Sequence, residues 1–263
     1  MIGELLENAY LFLLIFARVF AMVQVAPLIS SQAIPQIAKV GLSLFTAFAV
    51  SSWVAEIGYE IPTRIGHFLL LALGEALLGI IIGFMLLIIF SAFQLAGQFF
   101  SLQMGLGASQ VFDPLAQIEI PLMGQFLYII AMFVFVTVDG FGKFFLVGVM
   151  RSFESVNVMD LVAGKDRILE AFLKSLGGLF QNALTISFPI LGTLFLVSLT
   201  MGLLAKAAPQ MNLLMMGFPI SIGIAYLVLL VTIPFIMTGF ADIVDRGFEE
   251  LSGLFMGMRR VVP

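Results

Sequence analysis

The chain has 263 residues, of which 61% are hydrophobic and 11% charged, with a formal net charge of −4 and a mean hydropathy of +1.15. Soluble domains hold roughly 45–50% apolar and about 25% charged residues, which excludes a water-soluble globule and a disordered chain alike; the excess apolar surface has to meet lipid or other protein. With no cysteine and one histidine, His67, the sequence has no disulfides, iron–sulfur clusters, thiolate zinc sites or thiol nucleophiles, and its charge balance offers no basic footprint for nucleic acid.

The few charges act as punctuation. None occurs between Lys39 and Glu56, Glu75 and Asp113, Glu119 and Asp139, Lys174 and Lys206, or Lys206 and Asp242. A helix needs about 20 apolar residues to cross a bilayer core of roughly 30 Å. The pattern predicts six hydrophobic helical segments, near 5–28, 38–56, 66–103, 121–150, 166–206 and 213–240. The expected fold is therefore an all-α integral membrane protein of about six long helices in hairpins.

The first segment opens with Glu4 and Glu7 and lacks a small-residue cleavage site, so it does not read as a cleavable signal. Arg18 lies inside it. A charge at that depth is expected to face protein or a water-filled path, as a register-fixing pair or a pore-facing group. Glu75, within Gly74-Glu75-Ala76 of the third segment, is its natural partner by sign. Pro27, Pro35, Gly58 and Pro62 mark the next connectors.

The third segment would reach about 57 Å if helical throughout, at 1.5 Å per residue, more than a simple span requires. Gly79-Ile-Ile-Ile-Gly83 inside it would let another helix approach closely, and Gly97 extends the small-residue theme. The following stretch, Met104-Gly105-Leu106-Gly107-Ala108-Ser109-Gln110-Val111-Phe112-Asp113-Pro114, is apolar yet too rich in Gly to be a stiff helix. It reads as a buried or re-entrant loop, with a plain turn as the alternative. In the fourth segment Asp139 and Lys143 stand at i, i+4 spacing and are expected to neutralise each other.

The fifth segment begins amphipathically, with Ile168, Leu169, Phe172, Leu173, Leu176, Leu179, Phe180, Ala183 and Leu184 at helical spacing. Lys206 suits its C-terminal end, and Pro209 blocks simple continuation. Gln210 and Asn212 offer polar handles before Gly217-Phe218-Pro219. Asp242, Asp245, Glu249 and Glu250 alternate with Arg246 on an expected amphipathic tail, read as a solvated face. Eight Lys/Arg (Arg64, Arg151, Lys165, Arg167, Lys174, Arg246, Arg259, Arg260) fall on the side of both termini and two, Lys39 and Lys206, on the other. The positive-inside rule then places the termini in the cytoplasm.

Taken in order, Arg18, Pro27, Pro35 and Lys39; Gly74, Glu75, Gly79 and Gly83; the Gly-rich loop ending Asp113-Pro114; and Gly202, Lys206, Pro209, Gln210, Met211, Asn212, Gly217, Phe218 and Pro219 resemble the FliR/SctT family of type III secretion export-gate proteins. The resemblance runs through essentially the whole chain. It implies a non-enzymatic role without cofactor or metal, in the bacterial inner membrane at the flagellar basal body. The implied partners are FliP and FliQ in the core gate, FlhB around its entrance, FlhA beneath, and unfolded export substrates in the conduit. It further implies a FliP-like part over about 1–164, a FliQ-like helical hairpin over 165–263, a plug formed by residues 104–114, and a core raised toward the periplasm.

The alternatives are a virulence-injectisome homologue of the same subunit and a small secondary transporter. A transporter would show inverted repeats and a clustered polar site, neither of which is found. A lipid-directed membrane enzyme would have to draw on the acidic residues after 240.

Overall fold

The computed structural model describes residues 2–59, 64–106, 122–156, 158, 164–208, 210 and 213–258. Every regular element among them is helical: α1 (Ile2–Val25), α2 (Gln36–Glu56), α3 (Ile65–Gln103), α4 (Leu122–Thr137), α5 (Gly140–Ser155), α6 (Lys165–Ala207) and α7 (Leu213–Met258). In long uncharged stretches a helix is the one local structure that satisfies its own backbone groups without water. Five of these helices are long and apolar enough to cross a membrane, and α4 with α5 makes a sixth candidate bent by 78°. The protein is an all-α integral membrane protein, with elements where the charge gaps predict them.

Local chemistry sets the ends. Pro35, at φ −58° and ψ 143°, is extended and stands just before the first turn of α2. Gly58, at φ 78°, follows the last turn of α2. Lys39 counts in the sequence as a flanking charge, but it is only 2% exposed. Its Nζ donates to the Ser30 carbonyl at 2.9 Å, tying the start of α2 to the turn after α1.

Two expectations change. The fourth segment is not one helix: Asp139 takes φ 55° and breaks it at the Asp139-Gly140 step. The last helix does not stop near 240 but continues to Met258. Pro219 and Pro234 lie within it, and Pro189 lies within α6.

The described residues form two compact units. The first comprises Met1–Ile88, Asp139–Leu176 and Val244–Pro263. Its core holds Leu14, Ile15, Val19 and Met22 of α1, Leu78 and Ile82 of α3, Val147, Val149 and Phe153 of α5, and Val244, Phe248, Leu251 and Phe255 of α7. The end of α7 is thus amphipathic, as expected: these apolar residues pack into the core while Asp242, Asp245, Arg246, Glu249 and Glu250 are exposed. Residues Leu146–Arg151 of α5 form a π-helical turn, which shifts the register of the residues that follow. Gly148 makes room there, since a β-carbon would stand 2.9 Å from Met22 Sδ and 3.0 Å from Ile82 Cγ2.

The second unit comprises Ile89–Val138 and Gly177–Ile243. Phe90 is its hub, with ring centroids of Tyr128, Phe135 and Phe240 at 5.6, 5.4 and 5.5 Å. Edge-on ring pairs of this kind add to the burial of their area. Gly97 lets α3 and α4 touch through their backbones: a β-carbon there would fall 2.4 Å from the Met123 carbonyl oxygen.

Candidate functional site

The first site grows from one close helix contact. Gly79 and Gly83 of α3 lie against α1, where a β-carbon at 79 would meet the Arg18 carbonyl oxygen at 2.1 Å and one at 83 the Met22 carbonyl oxygen at 2.8 Å. The two glycines bring the helices nearly backbone to backbone. One turn before Gly79, Glu75 faces Arg18. Arg18 Nε donates to Glu75 Oε2 at 2.5 Å, and both side chains are 0% exposed. The pair expected by sign is formed.

Four further groups complete the cluster, and the sequence reading named none of them. Arg18 Nη1 donates to Ser152 Oγ at 2.8 Å, and Nη2 donates to the Val156 carbonyl at 3.3 Å. The guanidinium lies 3.6 Å from the Phe153 ring centroid, a cation–π contact. Tyr59 donates its hydroxyl to the second Glu75 oxygen. Burial first, and the Glu75 carboxylate second, raise the Tyr59 hydroxyl above its ordinary value, so it remains a donor. Gly74 completes the packing, since Val158 fills the place of its β-carbon. A fully satisfied buried pair of this kind fixes the register of α1, α3 and α5.

The Asp139–Lys143 pair is corrected. Lys143 Nζ lies 2.5 Å from Asp245 Oδ1 of α7. Asp139 is in the left-handed region at the break, so i, i+4 spacing no longer sets the two on one helix face. Lys174 pairs with Glu250 at 3.2 Å, and Arg151 Nη1 donates to Ser252 Oγ at 3.0 Å. These acidic residues hold the end of α7 within the first unit.

The second site is the start of the Gly-rich stretch, in the second unit. Of that stretch Met104, Gly105 and Leu106 are described; Gly107, Ala108, Ser109, Gln110, Val111, Phe112, Asp113 and Pro114 lie outside the described residues. The Leu106 amide donates to the Ser101 carbonyl at 3.2 Å and the Gly105 amide to the Leu102 carbonyl at 3.0 Å. With Gly105 at φ 80° this is a Schellman stop. Met104 is 1% exposed. Gly105 is thus the left-handed terminus of α3. The Phe218 ring lies where its β-carbon would be, with Cδ1 and Cε1 each 2.2 Å from that place.

The family described as "Bacterial export proteins, family 1" matches residues 9–247, which include both sites. The chain belongs to the FliR family of bacterial export proteins. It is 30% identical over 246 residues to the flagellar biosynthetic protein FliR of Bacillus subtilis (strain 168), covering 92% of this chain and 93% of that one. It is 30% identical over 263 residues to the protein of that name from Borreliella burgdorferi, covering 98% and 95%. Against that from Escherichia coli (strain K12) the figures are 26% over 247 residues, covering 94% and 91%.

The remaining residues of the FliR-family pattern divide by environment. Pro27 is buried beside the end of α1 and Pro35 is exposed. Gly202 has nothing within 4 Å of its β-carbon position. Lys206, Gln210, Phe218 and Pro219 are exposed and Gly217 half-buried, while Pro209 and Asn212 lie outside the described residues. His67 is exposed as well. The most apolar windows of α6 and α7 are only 11% and 17% buried within the chain, against 56% for α3. Leu169, Leu173, Phe180 and Leu184, on the amphipathic half of α6, are each more than half exposed.

Proposed function

We propose that this chain is a core subunit of the flagellar type III protein export gate, which with FliP and FliQ forms the conduit for unfolded flagellar subunits across the inner membrane. Membership of the export family over residues 9–247 carries the reading. The uncovered apolar faces of α6 and α7 support it, because a subunit buried in a hetero-oligomer must present such faces to partners. In this reading residues 1–164 act as a FliP-like part and 165–263 as a FliQ-like hairpin. FlhB wraps the closed entrance and FlhA lies beneath.

The role is conduction and sealing, with no bond made or broken by the chain. The Lys/Arg count sets the termini in the cytoplasm. At 1.5 Å per residue, α3, α6 and α7 reach about 60–70 Å, roughly twice a bilayer core. That length favours a core raised toward the periplasm with part of each helix covered by protein. Residues 104–114 act as the plug, with Leu106, Val111 and Phe112 as its seal.

The test is purification in mild detergent from cells expressing the whole operon. Stable recovery with FliP- and FliQ-like subunits, and loss of motility on deletion, are expected. A lone monomer or homodimer from motile deletion cells would overturn the reading. Loss of effector secretion in place of motility would assign the chain to an injectisome. Deleting residues 106–111 is expected to raise ion leakage through the assembled gate; an equally tight gate would remove the plug.

A further inference from the structure

We propose that Gly140–Phe145, the first six residues of α5, are a one-residue register switch that export uses. They turn about the π-helical turn at Leu146–Arg151 while the Arg18 cluster holds the helix beyond it. The use in export rests on the reading above; the motion itself does not.

A π-helical turn holds one residue more than an α-helical one. Relaxing it to α-helix rotates one side of α5 against the other by about 100° and shifts it by about 1.5 Å. The two sides are held very differently. Beyond the turn, Ser152 Oγ accepts from Arg18 Nη1 and donates to the Gly148 and Val149 carbonyls, at 2.7 and 2.8 Å. Phe153 packs on the guanidinium, and the Val156 carbonyl accepts from Nη2. Ser152, Phe153 and Val156 are each at most 2% exposed. Turning this side would carry Arg151 into the place of Ser152, against the buried Arg18, and would break its bond to Ser252. This side therefore stays.

Before the turn the hold is weaker. Lys143 ties the segment to Asp245 of α7, with side chains 36% and 52% exposed, and an ion pair so exposed contributes little. The far end of the segment is compliant: Asp139 stands at φ 55°, and Gly140 and Gly142 resist a change of φ and ψ least.

The residues of the segment fit two positions. When the turn relaxes, each residue before it takes the place of its predecessor. Phe145 then enters the place of Phe144, which is 1% exposed, so one phenyl ring replaces another in the core. Leu146 takes the half-buried place of Phe145, and Lys143 the exposed place of Gly142. The second position loses the Lys143–Asp245 pair and the burial of Val147, which moves outward to the place of Leu146. It gains regular helical bonding through α5. Two positions with so similar a core let α5 step by one residue without unpacking the Arg18 cluster. A subunit through which other chains pass thereby has a movable part inside a rigid frame.

The experiment uses the complete gate, purified with its partner subunits. Hydrogen exchange at the amides of 146–151 is measured beside subunit recovery and the motility of the producing cells. Deleting Met150 makes α5 regular while keeping Phe144 in the core and Ser152 on Arg18, so it fixes the present position. Phe145→Ala fixes it as well, because the second position would then leave a ring-sized cavity, lowering its population about a hundredfold or more. Phe145→Leu, which still fills that place, and Leu146→Ala, on the exposed side of the turn, are the controls. The expected result is full assembly of all four. Exchange at these amides slows about tenfold or more in the two fixed variants, and motility is lost in both, while the controls behave as the parent.

Exchange equally slow in the parent and in Phe145→Ala overturns the switch. Slowed exchange with undiminished motility overturns its use in export. Should the Met150 deletion fail to assemble, Phe145→Ala, which keeps the chain length, decides by the same comparison. Motile cells lacking the whole chain would overturn the export reading, and the exchange result would still decide the switch.

Discussion

Removing the Glu75 carboxylate while keeping its shape, as in Glu75→Gln, should destabilise the first unit far more than any surface change. Arg18 would remain 0% exposed with its bonds to Ser152 and Val156, but with no counter-charge. Breaking a buried pair from one side costs about 3–5 kcal/mol, because the other charge is left uncompensated. The cation–π contact with Phe153 is present before and after the change and so offsets none of that loss. Since 1.4 kcal/mol is a factor of ten, a loss of about 3–5 kcal/mol lowers the folded-to-unfolded ratio by roughly 10²–10⁴. Replacing both partners, as in Arg18→Met with Glu75→Leu, should recover most of that loss, since apolar residues of similar volume need no counter-charge. Thermal aggregation in detergent, followed by size-exclusion chromatography, measures all three proteins. The reasoning is refuted if Glu75→Gln melts with the parent, or if the double variant is no more stable than Glu75→Gln.

Gly79→Ala should lower stability by about 1–3 kcal/mol, because its β-carbon would stand 2.1 Å from the Arg18 carbonyl oxygen and force α1 from α3; the same melting assay reads it, and an unchanged midpoint contradicts the close approach. Lys143→Ala removes a pair whose side chains are 36% and 52% exposed, so the expected loss is about 1 kcal/mol or less; a loss near that of Glu75→Gln would show the pair to be shielded. Gly202→Leu, at a position with nothing within 4 Å, should leave stability within about 0.5 kcal/mol. It should nevertheless reduce co-purification with FliP- and FliQ-like subunits, and equal recovery would mean that this face meets no partner.

Much of the fold was legible because charge is so scarce that each gap delimits a helix. The Arg18–Glu75 pair followed from sign and depth, and the contact that permits it from Gly79 and Gly83. Ser152, Phe153 and Tyr59 were missed because they are ordinary residues brought in from α5 and the loop after α2; Ser152 is 134 positions from Arg18. Nothing local marks them. The break at Asp139 did carry a signal, since Asp-Gly favours a turn, but the uncharged run on either side outweighed it. The acidic residues after 240 ended the predicted hydrophobic span, but their alternation with Arg246 marked the amphipathic tail that continues α7, with Val244, Phe248, Leu251 and Phe255 at helical spacing on its buried face.

The composition of the first unit has a consequence in time. It draws on Met1–Ile88, Asp139–Leu176 and Val244–Pro263, so its core lacks Phe248, Leu251 and Phe255 until the final turns of α7 are made. Those turns follow α5 by about 100 residues, and at about 5–20 residues per second the earlier pieces wait roughly 5–20 s. Through that interval Lys143 has no Asp245 and Arg151 no Ser252. The first unit is thus closed only once the end of α7 has been made, after the helices described before it.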